Sequence, residues 1–177
     1  MTQAGPIDPT PVHAAIACIA LAVLLIASLR DLAVRTIPNA LPVLLATAGV
    51  LQQGLAGHLP AATAVAGAVF VGTTLCWRFG LLGGGDVKLL SAASLFVAPA
   101  MVPDLLVATA LAGALLAVAY LSLRPLLRDA PALVPVPRAL PLPARIFATE
   151  RRRIRRRGPL PYACAIAAGM GVTLLGG

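Results

Sequence analysis

Charged and aromatic side chains are both scarce in this chain of 177 residues. Only 11% of the residues are charged and only 4% are aromatic, whereas about a quarter of an average soluble domain is charged. Apolar residues take their place: they make up 59% of the sequence, and the mean hydropathy is +0.93. This composition argues against a soluble globular domain and is typical of a membrane protein.

Residues that bind metals or form disulfides are also few. The three cysteines, Cys18, Cys76 and Cys164, lie in three different apolar segments and form no CxxC pair. Neither of the two histidines lies at ligand spacing from a cysteine. We therefore expect no disulfide framework, no metal and no cofactor.

Long apolar runs occupy most of the chain. A helix that spans a bilayer needs about 20 mostly apolar residues, and six segments approach that length: roughly 12–29, 39–57, 60–77, 86–102, 104–123 and 159–176. No basic residue precedes the first segment, so we interpret it as a retained helix rather than a secretory signal peptide. The sequence predicts an all-α, polytopic membrane protein with six transmembrane helices. It would form one domain over 1–177, with a basic, proline-rich cytoplasmic loop at 124–158.

The basic residues lie on one side of this arrangement. Of the 14 Lys and Arg, two follow the first segment, two flank the turn between the third and fourth, and ten lie between the fifth and sixth. Cytoplasmic loops carry the excess of such residues. We therefore predict both termini on the outer, periplasmic side and a multi-pass location in a bacterial inner membrane. The arginine cluster at 151–157 is expected to contact anionic lipids rather than nucleic acid.

Two acidic residues border apolar helices on the predicted cytoplasmic side. Asp31 ends the first segment, and Asp86 begins the fourth. An ionisable residue in such a position is a functional candidate by default. Two carboxylates that lie close together share one proton. Such a pair can accept a proton from water and polarise a peptide carbonyl, as in aspartic proteases.

Structural explanations stay open for both acids. Asp86 follows three glycines and could cap the fourth helix, while Asp31 could form a weak ion pair with Arg35 one turn later. The glycine run could be only a turn. In the catalytic interpretation, the glycines allow unusual φ angles and the close approach of an unwound peptide.

Three motifs resemble those of the type IV prepilin peptidases, which are membrane aspartyl proteases. DLAVRTIPN at 31–39 is similar to the first motif of that family, and GGGDVK at 83–88 is similar to its GxGDxK signature. PYACAIAAG at 161–169 is similar to a C-terminal stretch, with Ala163 at the usual glycine position. The resemblance implies that Asp31 and Asp86 are catalytic. It gives substrate-binding or supporting positions to Gly83, Gly84, Gly85, Arg35, Pro38, Asn39 and Lys88.

The resemblance also implies a substrate. It would be a type IV prepilin or related pseudopilin whose short basic leader is removed at the cytoplasmic face, with pilus assembly machinery as a further partner. The chain lacks the paired cysteines of long family members, so we expect no N-methyltransferase activity, as in the short CpaA/TadV-like branch that serves Flp-type pili. Lys88 lies about 200° around a helix from Asp86 and should face lipid headgroups or a neighbouring helix. The alternatives are a non-catalytic subunit of a pilus or secretion machine and a small ion carrier.

Overall fold

The computed structural model describes residues 10–126, 143–144 and 160–176, and these ranges contain no strand. The all-α prediction is confirmed for them. A short 3₁₀ turn, Pro99–Met101, separates the fourth long helix from the fifth. The helices of 13 residues or more are α1 (Thr10–Val34), α2 (Ala40–Leu55), α3 (Leu59–Arg78), α4 (Gly84–Phe96), α5 (Val102–Leu126) and α6 (Tyr162–Gly176).

Three stretches within the described ranges are long and apolar enough to cross a membrane: Pro11–Val34, Leu59–Arg78 and Pro99–Leu123. α2 and α6 are also apolar but shorter. These helices indicate a membrane protein, while the count of six spans and the side on which the termini lie stay predictions. Helix α5 continues to Leu126, so residues 124–126 of the expected loop are helical. The rest of that loop, apart from 143–144, lies outside the described residues.

The fourth segment departs from its predicted bounds. The sequence predicts one apolar run over 86–102, but α4 ends at Phe96, and Val97 and Ala98 have extended backbone with ψ angles of 156° and 140°. Pro99 explains the break, because a proline disfavours the helical conformation of the residue before it. With 13 residues, α4 is about 20 Å long. It is therefore shorter than the hydrocarbon core of a bilayer, which is about 30 Å thick.

Helix α2 compensates for this early helix end. The last carbonyls of a helix lack partners within the helix, and Gln53 of α2, which is 2% exposed, donates a hydrogen bond of 2.8 Å from Nε2 to the Phe96 carbonyl. Gly49 brings α2 close at the same place, because a Cβ there would lie 3.0 Å from the Phe96 nitrogen. Gln53 lowers the hydropathy of α2, and the same residue supports the end of α4.

Helix α4 lies at the centre of the packing. It packs between α2 and α3, which make little contact with each other, and it also touches α6. Helix α1 packs on α2 and α6, and α5 packs mainly on α6. Most of α4 is buried by these neighbours: Val87, Leu89, Leu90, Ala92, Ala93, Ser94 and Phe96.

Glycines allow α5 and α6 to approach each other closely. A Cβ at Gly169 would clash with Thr109 Oγ1 and would lie 2.7 Å from the Thr109 nitrogen. A Cβ at Gly113 would lie 3.0 Å from Cε2 of the Tyr162 ring. Small residues at a helix interface are a common means of association in membranes. Here they also fix the position of Tyr162 at the start of α6.

Replacing Gly169 by alanine should lower the free energy of unfolding by about 1–3 kcal/mol, because the added methyl group meets the backbone of α5. The midpoint of thermal unfolding in detergent measures this loss. Gly171→Ala is the matched control on the same helix, since a Cβ there meets nothing within 4 Å. It should melt at or slightly above the wild-type temperature, because alanine favours the helix over glycine. Equal melting of the two variants would contradict the close contact.

Candidate active site

A cavity of about 770 Å³ lies where α1 ends and α4 begins. The α1–α2 connection, the α3–α4 connection and the start of α6 form its wall. Asp31 and Asp86 both line it, together with the three glycines that precede Asp86. The two acids are far apart in sequence. Helix α2 leads the chain to the other end of the bundle and α3 leads it back, so both acids lie at the same end.

Asp86 is held at the start of α4 by its own helix terminus. It is the third residue of the helix, and the N-cap position belongs to Gly83. The Gly83 amide donates a hydrogen bond to the Asp86 carboxylate, as an acid at this position does in a capping box. A Cβ at Gly83 would lie only 2.7 Å from Asp86 Oδ2, so glycine leaves the room that this contact needs. The proposal that Asp86 is itself the N-cap residue is therefore wrong.

The two oxygens of Asp86 differ in their surroundings. Oδ2 lies beside Gly83, whereas Oδ1 is buried and has no hydrogen-bond partner among the described residues. Leaving a buried polar atom unpaired costs about 1–3 kcal/mol, and more for a charged group. A capping role explains the hydrogen bond from the Gly83 amide to Asp86, but it does not explain why Oδ1 is buried. A buried oxygen in this state suits a group that reacts.

Asp31 lies half-buried in the last turn of α1 and is close enough to Asp86 for their charges to interact. The helix macrodipole disfavours a negative charge at a C-terminus, and a second carboxylate adds repulsion. Helix stability therefore does not explain this placement. Arg35 lines the same cavity, so its pairing with Asp31 stays open as a prediction.

Arg35 ends α1 in a conformation that is unusual for its residue type. Its φ angle is 59°, and no other non-glycine among the described residues has a positive φ. Its amide donates a hydrogen bond of 3.1 Å to the carbonyl of Asp31, which is the left-handed helix ending that glycine usually provides. The conformation costs an L-residue about 1–2 kcal/mol. It turns the chain so that Thr36 and Ile37 also line the cavity.

The glycine run has a more local role than the sequence indicated. None of the three glycines has a positive φ; Gly83 is extended, and the next two begin α4. A Cβ at Gly85 would lie 3.3 Å from Ile37, and one at Gly84 would lie 3.6 Å from Nε1 of Trp77. The expectation of unusual φ angles was therefore wrong. The absent side chains instead admit the Asp86 carboxylate and let the start of α4 pack against Ile37 and Trp77.

The structure places three of the expected supporting residues away from the cavity lining. Lys88 Nζ donates a hydrogen bond of 3.0 Å to Asn39 Oδ1, and both side chains are exposed. The Asn39 side chain makes no cap hydrogen bond to α2. Pro38 is half-buried, and its carbonyl accepts a hydrogen bond from the Leu41 amide. Lys88 thus faces α2 and not the cavity.

Tyr162 lines the cavity but was not among the residues predicted for the site. It begins α6 directly after Pro161, which is fully buried, and its ring is held against Gly113. A phenol hydroxyl can both donate and accept hydrogen bonds. The only sequence signal for Tyr162 was the motif at 161–169. That motif indicates a family resemblance, but it does not predict that Tyr162 lies in the same cavity as the two acids.

An all-helical apolar bundle with two interacting carboxylates in one cavity defines a class: a membrane peptidase candidate. The comparison with family models agrees. The chain belongs to the type IV leader peptidase family, whose model matches residues 18–118, and this membership makes it a peptidase. The match includes both acids and the glycine run, while α6 lies beyond it. No curated protein and no solved structure matches the chain.

Two substitutions of Arg35 should separate its backbone strain from its side chain. Arg35→Gly and Arg35→Ala both remove the guanidinium group, but only glycine adopts a positive φ without strain. We expect the glycine variant to be more stable than the alanine variant by about 1 kcal/mol. Thermal unfolding of both variants in the same detergent measures the difference. An alanine variant as stable as the glycine variant would mean that α1 does not end in this conformation.

Proposed function

We propose that the protein is an intramembrane aspartyl endopeptidase. Its substrates would be type IV, Flp-like prepilins or related pseudopilins, from which it removes the short basic leader. The observation that carries the proposal is the meeting of Asp31 and Asp86 in one cavity, in a chain of the type IV leader peptidase family. The resemblance of the motifs around both acids supports the choice of substrate.

The two carboxylates supply the chemistry of peptide hydrolysis. One acid, in its ionised form, takes a proton from a water molecule as the water oxygen bonds to the carbonyl carbon of the scissile peptide. The other acid, in its protonated form, gives its proton to the carbonyl oxygen. When the tetrahedral intermediate collapses, the C–N bond breaks and the leaving nitrogen receives a proton from the first acid. The hydroxyl proton returns to the second acid, and both acids regain their starting states.

The α3–α4 connection offers a place for an extended substrate. Residues 80–83 line the cavity, and Gly83 has an extended backbone with φ −79° and ψ 147°. Peptide recognition often uses main-chain hydrogen bonds to such segments. We infer that the peptide before the scissile bond lies along this connection. Its carbonyl then reaches the two acids.

The site would lie at the cytoplasmic face of a bacterial inner membrane. All 14 basic residues fall on one side of the six-segment arrangement, which the positive-inside rule assigns to the cytoplasm. The cavity lies at the same end, because Arg35 lines it and Arg78 ends α3. In this topology the fourth pass consists of α4, the extended pair Val97 and Ala98, and the 3₁₀ turn.

Replacing either acid by asparagine should abolish cleavage. Asp31→Asn and Asp86→Asn keep the size of the side chain but remove the shared proton, and we expect at least about a 100-fold loss of rate. The measurement is the size of a co-expressed prepilin, followed by the rate with purified enzyme.

Asp104→Asn is the matched control for both variants. Asp104 is exposed in the first turn of α5 and does not line the cavity, so its variant should cleave at the wild-type rate. Native cleavage by either of the other two variants, at normal protein levels, would overturn the proposal. A pilus defect with prepilin still cut would favour an assembly subunit instead.

Tyr162→Phe should lower kcat while leaving KM little changed. The ring keeps its packing against Gly113, but the variant lacks the hydroxyl that can donate a hydrogen bond to the scissile carbonyl. Removing one such hydrogen bond should lower kcat about tenfold. Tyr120→Phe is the control, because the only other tyrosine of the chain lies on α5 and does not line the cavity. A lower melting temperature with an unchanged kcat would show that the hydroxyl is structural.

A further inference from the structure

A second groove, of about 610 Å³, runs along the outside of the bundle between α2 and α3, with α4 as its floor. It exists because both helices pack on α4 and make little contact with each other. It is distinct from the cavity of the acids, since the two share no lining residue.

The walls of the groove are apolar along most of their length. Small residues from all three helices line it, among them Ala46, Ala66 and Ala92. Gly67 leaves further space, since a Cβ there meets nothing within 4 Å. An apolar groove of about 610 Å³ between two helices that both stay packed on α4 suits a flexible hydrocarbon chain.

One end of the groove carries a positive charge. Lys88 lies there with Asn39, and the hydrogen bond of 3.0 Å from Nζ to Asn39 Oδ1 holds the ammonium group at the mouth. A lysine has three N–H donors, so this contact leaves two for another acceptor. Among the described residues that line the groove there is no acid. The charge at the mouth is therefore complementary to an anion with an apolar tail.

We propose that this groove binds one anionic phospholipid, with its phosphate on Lys88 and an acyl chain between α2 and α3. The inference uses the orientation given under the proposed function, which places Lys88 in the leaflet where anionic lipids attract basic residues. It does not depend on the proteolytic chemistry.

The bound lipid would connect the groove to the cavity of the acids. Lys88 follows Asp86 by two positions on α4, and Asn39 follows the connection whose Thr36 and Ile37 line the cavity. A phosphate held at the mouth thus contacts residues on both sides of the Ile37–Gly85 packing.

Native mass spectrometry of the purified protein in detergent tests the site. The probes are phosphatidylglycerol and phosphatidylcholine with identical acyl chains, and phosphatidylglycerol should bind more tightly. Lys88→Gln should weaken phosphatidylglycerol binding about fivefold and weaken phosphatidylcholine binding less, because the choline ammonium offsets the charge of its phosphate. Gly67→Leu, which fills the groove, should weaken both.

Two controls separate the groove from the rest of the surface. Arg78→Gln removes a basic residue outside the groove, and Gly72→Leu adds a side chain at an exposed glycine of the same helix with open space around it. Both variants should bind phosphatidylglycerol as the wild type does. Equal binding of the two lipids by the wild-type protein, or unchanged binding by Gly67→Leu, would overturn the proposal.

A second measurement uses a protein that keeps the shape of the groove. A photoreactive phenylalanine analogue in place of Phe70, which lines the groove, should cross-link to phospholipid in native membranes. Cross-linking to a prepilin or to a second copy of the chain, in place of lipid, would overturn the proposal. Either result leaves the proteolytic function untouched, because prepilin cleavage by the Asp31→Asn and Asp86→Asn variants tests that function separately.

Discussion

The packing of α4 between α2 and α3 is the constraint on which the candidate site depends. This helix is too short to cross a bilayer by itself, and it ends at Phe96 within the bundle. Open backbone groups at membrane depth are tolerated only where protein or a cavity surrounds them. Gln53 satisfies the carbonyl at one end of α4, and the other end lies at the cavity of the two acids. A helix supported at its buried end can present its first turn to a substrate.

That first turn combines stabilising and destabilising contacts. The Gly83 amide supports the carboxylate of Asp86, while Oδ1 is buried without a hydrogen-bond partner among the described residues and a second carboxylate, Asp31, lies in the same cavity. The end of α1 adds backbone strain at Arg35. Strain and unsatisfied groups cluster at functional sites, where the surrounding structure must offset them. The glycines at the α5–α6 interface and the buried face of α4 provide such support.

Hydropathy located most of the helices, and the alternation of the apolar segments placed both acids at one end of the bundle. These predictions depend on where apolar and charged residues lie along the chain, which can be read directly from a single sequence. The break at Val97 and Ala98 was missed because the run 86–102 stays apolar across it, although Pro99 was a signal. The role of Gln53 and the place of Tyr162 depend on contacts between distant segments, which periodicity does not specify. The glycine run was misinterpreted for the same reason, since Ile37, the neighbour of Gly85, is remote in sequence.

The start of α4 has two faces with different chemistry. Asp86 faces a cavity that holds a second carboxylate, and Lys88, about 200° further around the helix, faces the groove between α2 and α3. A rotation or shift of this one turn would move both groups together, because they share a single rigid helix. The Ile37–Gly85 contact limits such a shift. A ligand at Lys88 and Asn39 would therefore lie on the side of this turn away from the cavity, without touching the reacting atoms.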